Sequence, residues 1–167
     1  MRRVVTGVDA DGRSRVFSDG HAPVAFAPGS DGAGGFGLRR VEGGTVDPGR
    51  GSSVVNELWS LTGEPSVSTD DPTVGLESFG VDVPAGATRW IITQMGPGLA
   101  APMHSTSTID YGVVVAGDVE LGLEDGSVHL RAGDAVVVNG VEHSWLAGPD
   151  GCLIATVMVG LRDAERP

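Results

Sequence analysis

PMHSTSTIDYGVVVAG, Pro102–Gly117, sets a histidine, a threonine and an aspartate (His104, Thr106 and Asp110) ahead of a run of valines. Side chains on a strand alternate between its two faces, so residues an even number apart share one. His104, Thr106 and Asp110 are all even-numbered. An unbroken strand would aim them the same way and turn Val113 and Val115 opposite. A turn within Ser105–Thr108 would loosen that parity. The stretch reads either as one side of a ligand site or as a strand that merely carries polar residues.

Downstream, RAGDAVVVNGVEHSWLAG (131–148) brings His143 after a Gly-Asp turn, a valine strand and an Asn139-Gly140 turn. Two histidines and a carboxylate from two strands can meet inside a barrel, a donor set that suits a divalent metal with open positions.

The rest of the chain supports an all-β frame. Glycine (27) and proline (10) are frequent, no stretch keeps helical apolar spacing for three turns, and short valine-rich runs end in Gly, Pro, Asp or Asn. RRVVTGV and RSRVFS, joined by DADG, predict a hairpin. Residues 27–52 are glycine-rich without periodicity and predict a loop. SVVNELWSLTG predicts a strand with Val55, Glu57 and Trp59 on alternate positions. TRWIITQM predicts a strand and GPGLAAPM a turn. STIDYGVVVAG, the DVELGLEDGSVHLRAG hairpin, DAVVVNG and CLIATVMVGL predict further strands, about six within about 75 residues, which fits an antiparallel barrel. The expected organisation is an N-terminal β extension with the Gly-rich loop over 1–60 and a barrel over 61–167, forming one structural domain.

Composition excludes several functions. The chain has 167 residues and a formal net charge of -11, so nucleic acid and anionic membranes are not expected partners. All 11 basic residues are arginine, which rules out Schiff-base lysine chemistry and a P-loop lysine, and hints at a GC-rich bacterial genome. Cys152 is the single cysteine and reads as a buried, inert thiol; it permits neither an intrachain disulfide nor a cysteine zinc cage. With no signal-peptide pattern and no apolar run of about 20 residues, a cytoplasmic protein is the default expectation.

The two segments resemble the paired motifs of the cupin superfamily, in the form of a small single-domain bacterial cupin with a degenerate metal motif. In the first, five residues lie between Gly98 and His104, Thr106 stands in place of a second histidine, Asp110 in place of the glutamate, and six residues lie between Asp110 and Gly117. In the second, Gly133 opens, Asn139 takes a proline position, Gly140 and His143 match, and Ala147 replaces an asparagine. Fifteen residues lie between Gly117 and Gly133, and the start, MRRVVTG, is also similar to such proteins. The resemblance implies a single double-stranded β-helix (jelly-roll) barrel and a homodimer with N-terminal strands packed or exchanged across the interface. It also implies a divalent metal (Fe, Mn, Ni or Zn) held by His104, Asp110 and His143, and no other cofactor. The departures bear on the metal: threonine is a poor ligand, and Asp110 reaches roughly 1.5 Å less than glutamate. The competing reading is a pocket in which two imidazoles and a carboxylate simply hydrogen-bond.

His104, Asp110 and His143 are therefore the candidate catalytic and metal-binding residues, and Thr106, Trp145, Gln94 and Met103 the candidate substrate-pocket residues. Arg89 and Glu57 are further polar candidates. Trp145 reads as pocket wall or core filling, Trp90 and Met103 as wall or core, Tyr111 as core, and His129 as exposed. The implied function is small-molecule chemistry in bacterial specialised metabolism: metal-assisted proton transfer by a lyase, isomerase, dehydratase or cyclase. The alternatives are an Fe(II) dioxygenase and a non-catalytic ligand-binding cupin.

Overall fold

The computed structural model describes residues 1–29, 37–42, 46–63 and 70–162. Eleven strands and no α-helix make up these residues: β1 (Arg2–Val8), β2 (Ser14–His21), β3 (Val24–Gly29), β4 (Gly37–Glu42), β5 (Ser53–Leu61), β6 (Thr88–Met95), β7 (Ala100–His104), β8 (Thr108–Leu123), β9 (Gly126–Arg131), β10 (Ala135–Asn139) and β11 (His143–Gly160). No helix among the described residues is long and apolar enough to cross a membrane. The fold is the all-β one the sequence predicts. Strands β1 and β2 form a separate hairpin sheet. The other nine make one antiparallel sheet in the order β10-β8-β11-β6-β5-β3-β4, with β7 added on β11 and β9 on β8.

Opposed residues of an antiparallel pair point to one face, so the register defines rows of side chains. One row runs Glu57–Ile91–Thr156–Gly112–Val136 and the next Arg89–Met158–Asp110–Val138, both on the inner face. The outer face carries a row Trp59–Trp90–Val157–Tyr111–Val137. In it Val137 is 60%, Tyr111 52% and Trp90 45% exposed, so Tyr111 and Trp90 are not the core residues expected. Each differs in parity from its inward neighbour, and burial on one face of a strand leaves the other to solvent.

The sheets divide elsewhere than at residue 60. β3 and β5 are paired strands of the large sheet, and β5 contributes Ser53 and Val55 to its inner face, so only β1–β2 stands apart. Within 27–52, read as loop, the hairpin of β3 and β4 continues, while residues 30–36 and 43–45 lie outside the described residues. Its glycines masked a strand pattern that pairing to β5 enforces. GPGLAAPM likewise contains β7 rather than only a turn. The alternation expected along β5 breaks at a bulge between Glu57 and Trp59, which sends Glu57 inward and Trp59 outward.

The first hairpin forms as predicted. Asp9 Oδ1 accepts hydrogen bonds from the amides of Asp11 (3.0 Å) and Arg13 (2.9 Å), and Gly12 supplies the left-handed φ of 76°. The hairpin is fastened to the large sheet by one buried cation. Arg3 Nη1 donates to the Leu58 carbonyl (2.9 Å) and Thr73 Oγ1 (3.1 Å), and the guanidinium is ion-paired with Asp71. Burial alone would raise the Asp71 carboxyl, but hydrogen bonds from Arg3 and Thr73 outweigh it and hold the pKa below its ordinary value. A carboxylate lowered by folding adds stability above its unfolded pKa and loses it as pH falls. Arg3→Ala is expected to destabilise the fold by about 2 kcal/mol at neutral pH, since it leaves a half-buried carboxylate without its cation. In denaturant titrations the difference between wild type and variant should shrink as pH is taken below about 4.

Candidate functional site

The inner face of the large sheet encloses a cavity of about 200 Å³. His104, Thr106, Asp110, His143 and Trp145 all line it. They arrive from three places: His104 ends β7, Asp110 lies near the start of β8, and His143 and Trp145 open β11. The bend at Ser105–Ser107 separates β7 from β8, so shared parity on one strand is not what unites His104 and Asp110. Each strand turns its own inner face to the same space.

The four motif glycines make this arrangement possible. Gly98, Gly117, Gly133 and Gly140 have φ of 67°, 71°, 95° and 65°, a region that residues with a side chain rarely adopt. Gly117 also allows β8 to cross β11, because a Cβ there would lie 2.0 Å from the Gly151 carbonyl oxygen.

His104 and His143 are opposed in the β7–β11 register, and their rings sit 4.3 Å apart between centroids. The two are anchored alike. His104 Nδ1 lies 2.8 Å from the Pro102 carbonyl oxygen, and His143 Nδ1 lies 2.9 Å from that of Val141. A carbonyl can only accept, so each Nδ1 carries the proton, and a neutral ring then presents a bare Nε2 lone pair. The edge of Trp145 packs against the His143 ring at 5.7 Å, which makes the tryptophan part of the cavity wall. Burial lowers the His143 pKa, the Val141 carbonyl opposes this, and the net shift is downward from 6.5. The imidazole is accordingly neutral at pH 7.

Asp110 is tied into a hydroxyl chain. Thr108 Oγ1 donates to Asp110 Oδ1 at 2.6 Å, and Thr106 Oγ1 lies 2.6 Å from Thr108 Oγ1. Because Thr108 spends its one proton on the carboxylate, Thr106 is the donor in its own bond, and its lone pairs remain for the cavity. Burial raises the Asp110 pKa. The Thr108 hydrogen bond and the nearby histidines pull it down, and burial wins. Thr108 is only 1% exposed and was not among the candidates, although it shares the even parity of His104, Thr106 and Asp110.

Two candidates fall outside the cavity. Gln94 is opposed to Val54 on the outer face of β5 and β6, where Oε1 accepts a 3.5 Å hydrogen bond from Asn56 Nδ2. Met103 is 47% exposed, one residue out of phase with His104. Conversely, Thr93, Thr156 and Phe79 line the cavity without having been foreseen. The two threonines sit in plain apolar strands, and Phe79 comes from a connection with no periodic pattern.

Glu57 and Arg89 face the barrel interior but stand behind the cavity wall. Arg89 Nε is 3.0 Å from Glu57 Oε1, and the Glu57 side chain is fully buried. Burial raises the Glu57 pKa against the pull of Arg89. The guanidinium also lies 5.0 Å from the Phe79 ring centroid and donates to the Gly80 carbonyl, so the pair holds the segment that carries Phe79 against the cavity. Cys152 is buried and its thiol is pushed up to about 11, chiefly by burial, which keeps it inert. His129 is exposed, 2.7 Å from Asp118.

The donor set was tested against the metal that the resemblance implies. Carbonyl-anchored Nδ1 atoms with free Nε2 atoms are a usual preparation of metal-binding histidines. The third ligand fails: among the described residues no three His, Cys, Asp or Glu side chains are placed to hold an ion. The metal triad of His104, Asp110 and His143 that the resemblance implies is thus not assembled among the described residues. Asp110 is a methylene short and engaged by Thr108, and Thr106 supplies a hydroxyl where a histidine would stand.

No family model matches the chain. Among curated proteins, it is 39% identical over 67 residues to phomopsin biosynthesis cluster protein C' of Diaporthe leptostromiformis (40% of this chain, 35% of that protein). It is 39% identical over 72 residues to a cupin-domain-containing oxidoreductase of Neurospora crassa (42% of this chain, 37% of that protein). The matched stretch spans little more than a third of either relative's length, and both relatives are fungal rather than bacterial. Among solved structures, an RmlC-like cupin from Shewanella frigidimarina is 17% identical, with 70% of this chain and 83% of that chain covered and a TM-score of 0.45. The likeness to cupins read from the motifs agrees with the cupin domain named in the Neurospora relative.

Replacing Thr108 by valine removes the hydrogen bond that favours the ionised carboxylate, so the Asp110 pKa is expected to move further up. Carboxyl-carbon NMR titration of T108V checks the direction, and T108S should restore the wild-type value.

Proposed function

We propose that this chain is a small-molecule cupin of specialised metabolism that moves a proton on an organic substrate held in the cavity. The observation that carries the reading is the matched anchoring of His104 and His143 through Nδ1, which leaves two Nε2 atoms for the cavity beside the Asp110 carboxyl group. His143, neutral at pH 7, takes a proton from an acidic C–H of the substrate. Asp110 stabilises the imidazolium so formed, His143 returns the proton at a neighbouring atom, and the Thr106–Thr108 chain holds that carboxyl in place. Burial lowers the His143 pKa while the Asp110 carboxylate opposes that fall, so the ring is a free base at pH 7 that can still hold a proton briefly beside the acid group. The outcome class is isomerisation, elimination or cyclisation. The biosynthesis-cluster name of the Diaporthe relative supports the metabolic setting.

A second reading is favoured by the name of the Neurospora relative, an oxidoreductase. Oxygen consumption on addition of substrate and iron separates it from proton transfer.

For assembly, the proposal is a homodimer that covers the outer apolar row. Four of its five side chains are at least 36% exposed, which is a costly surface for a lone chain in water. Trp90→Arg is expected to shift the sedimentation coefficient to that of a monomer with the strand content unchanged by circular dichroism.

The proton-transfer reading is tested with β-tetralone, a neutral ketone with acidic C–H bonds, in deuterated buffer. Wild type should speed loss of the α-proton NMR signal, and His143→Gln should slow the catalysed exchange by roughly a hundredfold. The rate should rise with pH through a value below 6.5, where His143 loses its proton, and then level off. Catalysed exchange that is untouched in both H143Q and H104Q sinks the reading.

A further inference from the structure

Around His104, His143, Thr106 and Asp110 the side-chain atoms left for the cavity are hydrogen-bond acceptors, whereas the hydroxyls of Ser53, Thr93 and Thr156 elsewhere on its wall can also donate. His143 and His104 spend their Nδ1 protons on Val141 and Pro102, Thr106 spends its hydroxyl proton on Thr108, and Asp110 keeps Oδ2 free of any protein donor. Such an end is satisfied only when the ligand brings the donors. Among the described residues that line it, Asp110 is the only aspartate, glutamate, lysine or arginine. The chain has no lysine, and no arginine is among the described residues that line the cavity.

The nearest inward-facing cation confirms the sign. Arg89 belongs to the same cross-strand row as Asp110, separated from it by Met158. Its charge is taken up by Glu57 at 3.0 Å, its guanidinium lies over Phe79 and bonds to the Gly80 carbonyl, and Phe79 stands between it and the cavity. An anion entering the site would meet a carboxylate and no cationic side chain among the described residues that line it. Beyond that end the wall is mostly apolar, with Trp145, Leu99, Ile154, Met158 and Val136 alongside the hydroxyls of Ser53, Thr93 and Thr156. Gly112 keeps the space open beside Asp110, since a Cβ there would come within 2.9 Å of Val136 Cγ1. The volume of about 200 Å³ is below the range usual for drug-sized ligands and suits roughly a dozen non-hydrogen atoms.

We propose that the site takes an uncharged, flat or compact apolar molecule bearing a hydroxyl donor at one end, of the phenol or enol class, and rejects carboxylates and phosphates. This rests on the proton-transfer reading for its biological sense, since an enol hydroxyl is what such transfer makes or consumes, but the binding preference is independent of turnover. The probes are β-naphthol, β-naphthamide and β-naphthoate, titrated into the full-length protein by isothermal calorimetry at neutral pH. The amide and the carboxylate match in size and differ in charge. β-Naphthol and β-naphthamide are expected to bind about tenfold or more tighter than β-naphthoate. Asp110→Asn should bring β-naphthoate close to the amide by removing the repelling charge, and Thr106→Val should weaken β-naphthol while leaving the amide-to-carboxylate ratio as it was. Equal or tighter binding of β-naphthoate by wild type overturns the proposal, as does failure of all three probes to bind; neither comparison depends on a variant that must fold. A neutral-ligand preference together with His-independent exchange of β-tetralone would leave the ligand class standing and remove the catalytic reading alone.

Discussion

Strand β11 pairs with β6, β7 and β8 at once, and its register against them is the constraint on which the site depends. Its first part sets His143 opposite His104 on β7. Its last part sets Met158 between Arg89 on β6 and Asp110 on β8. Between the two the pairing slips, from Ala147 to Cys152, and Gly151 with φ of 81° turns there against Gly117 of β8. A slip of one residue would turn every one of these side chains to the other face. The same strand thus joins the imidazoles at one end of the cavity and closes its floor at the other.

Around that frame, electrostatics are arranged by burial more than by charge pairing. Asp110 sits among histidines and threonines, with no cation beside it, and burial raises its pKa despite a hydrogen bond from Thr108. Burial likewise keeps His143 neutral. The interior does hold a full ion pair, Glu57 with Arg89, but spends it on structure. A buried pair of this kind contributes little net stability, yet it fixes geometry. Here it holds the Phe79 segment as a wall. Acid–base groups and the strong cation are therefore kept apart within one row of the sheet.

Much of this was legible in the residues. The motif glycines were found by spacing, and each adopts a positive φ, so the pattern has a backbone cause. His104, Asp110, Thr106, His143 and Trp145 were picked out from two short segments and do line one cavity. The misreadings have common origins. Gln94, a polar residue on a strand, and Met103, a wall or core candidate, are both turned away from the cavity by strand phase. The bulge after Glu57 reversed Trp59, and a bulge leaves no mark in an apolar run. Glycine-rich β3 and β4 looked like loop because their order comes from pairing with β5. Thr108 was missed in the very stretch whose parity was used, since a threonine in a strand is ordinarily a β-former and not a bridge to a carboxylate.

By itself the sequence determined the all-β class, the turns, and the identity of the groups able to exchange protons, because alternation, glycine and proline are local properties of the chain. Only the tertiary structure decided which of those groups meet. Whether two imidazoles stand opposed, whether a shortened acid reaches them, and whether an arginine shares their space follow from strand register between segments far apart in the chain. Those are also the facts that separate a three-ligand metal centre from a cavity of acceptors, since coordination and charge balance act over a few ångströms in space with no regard for distance along the sequence.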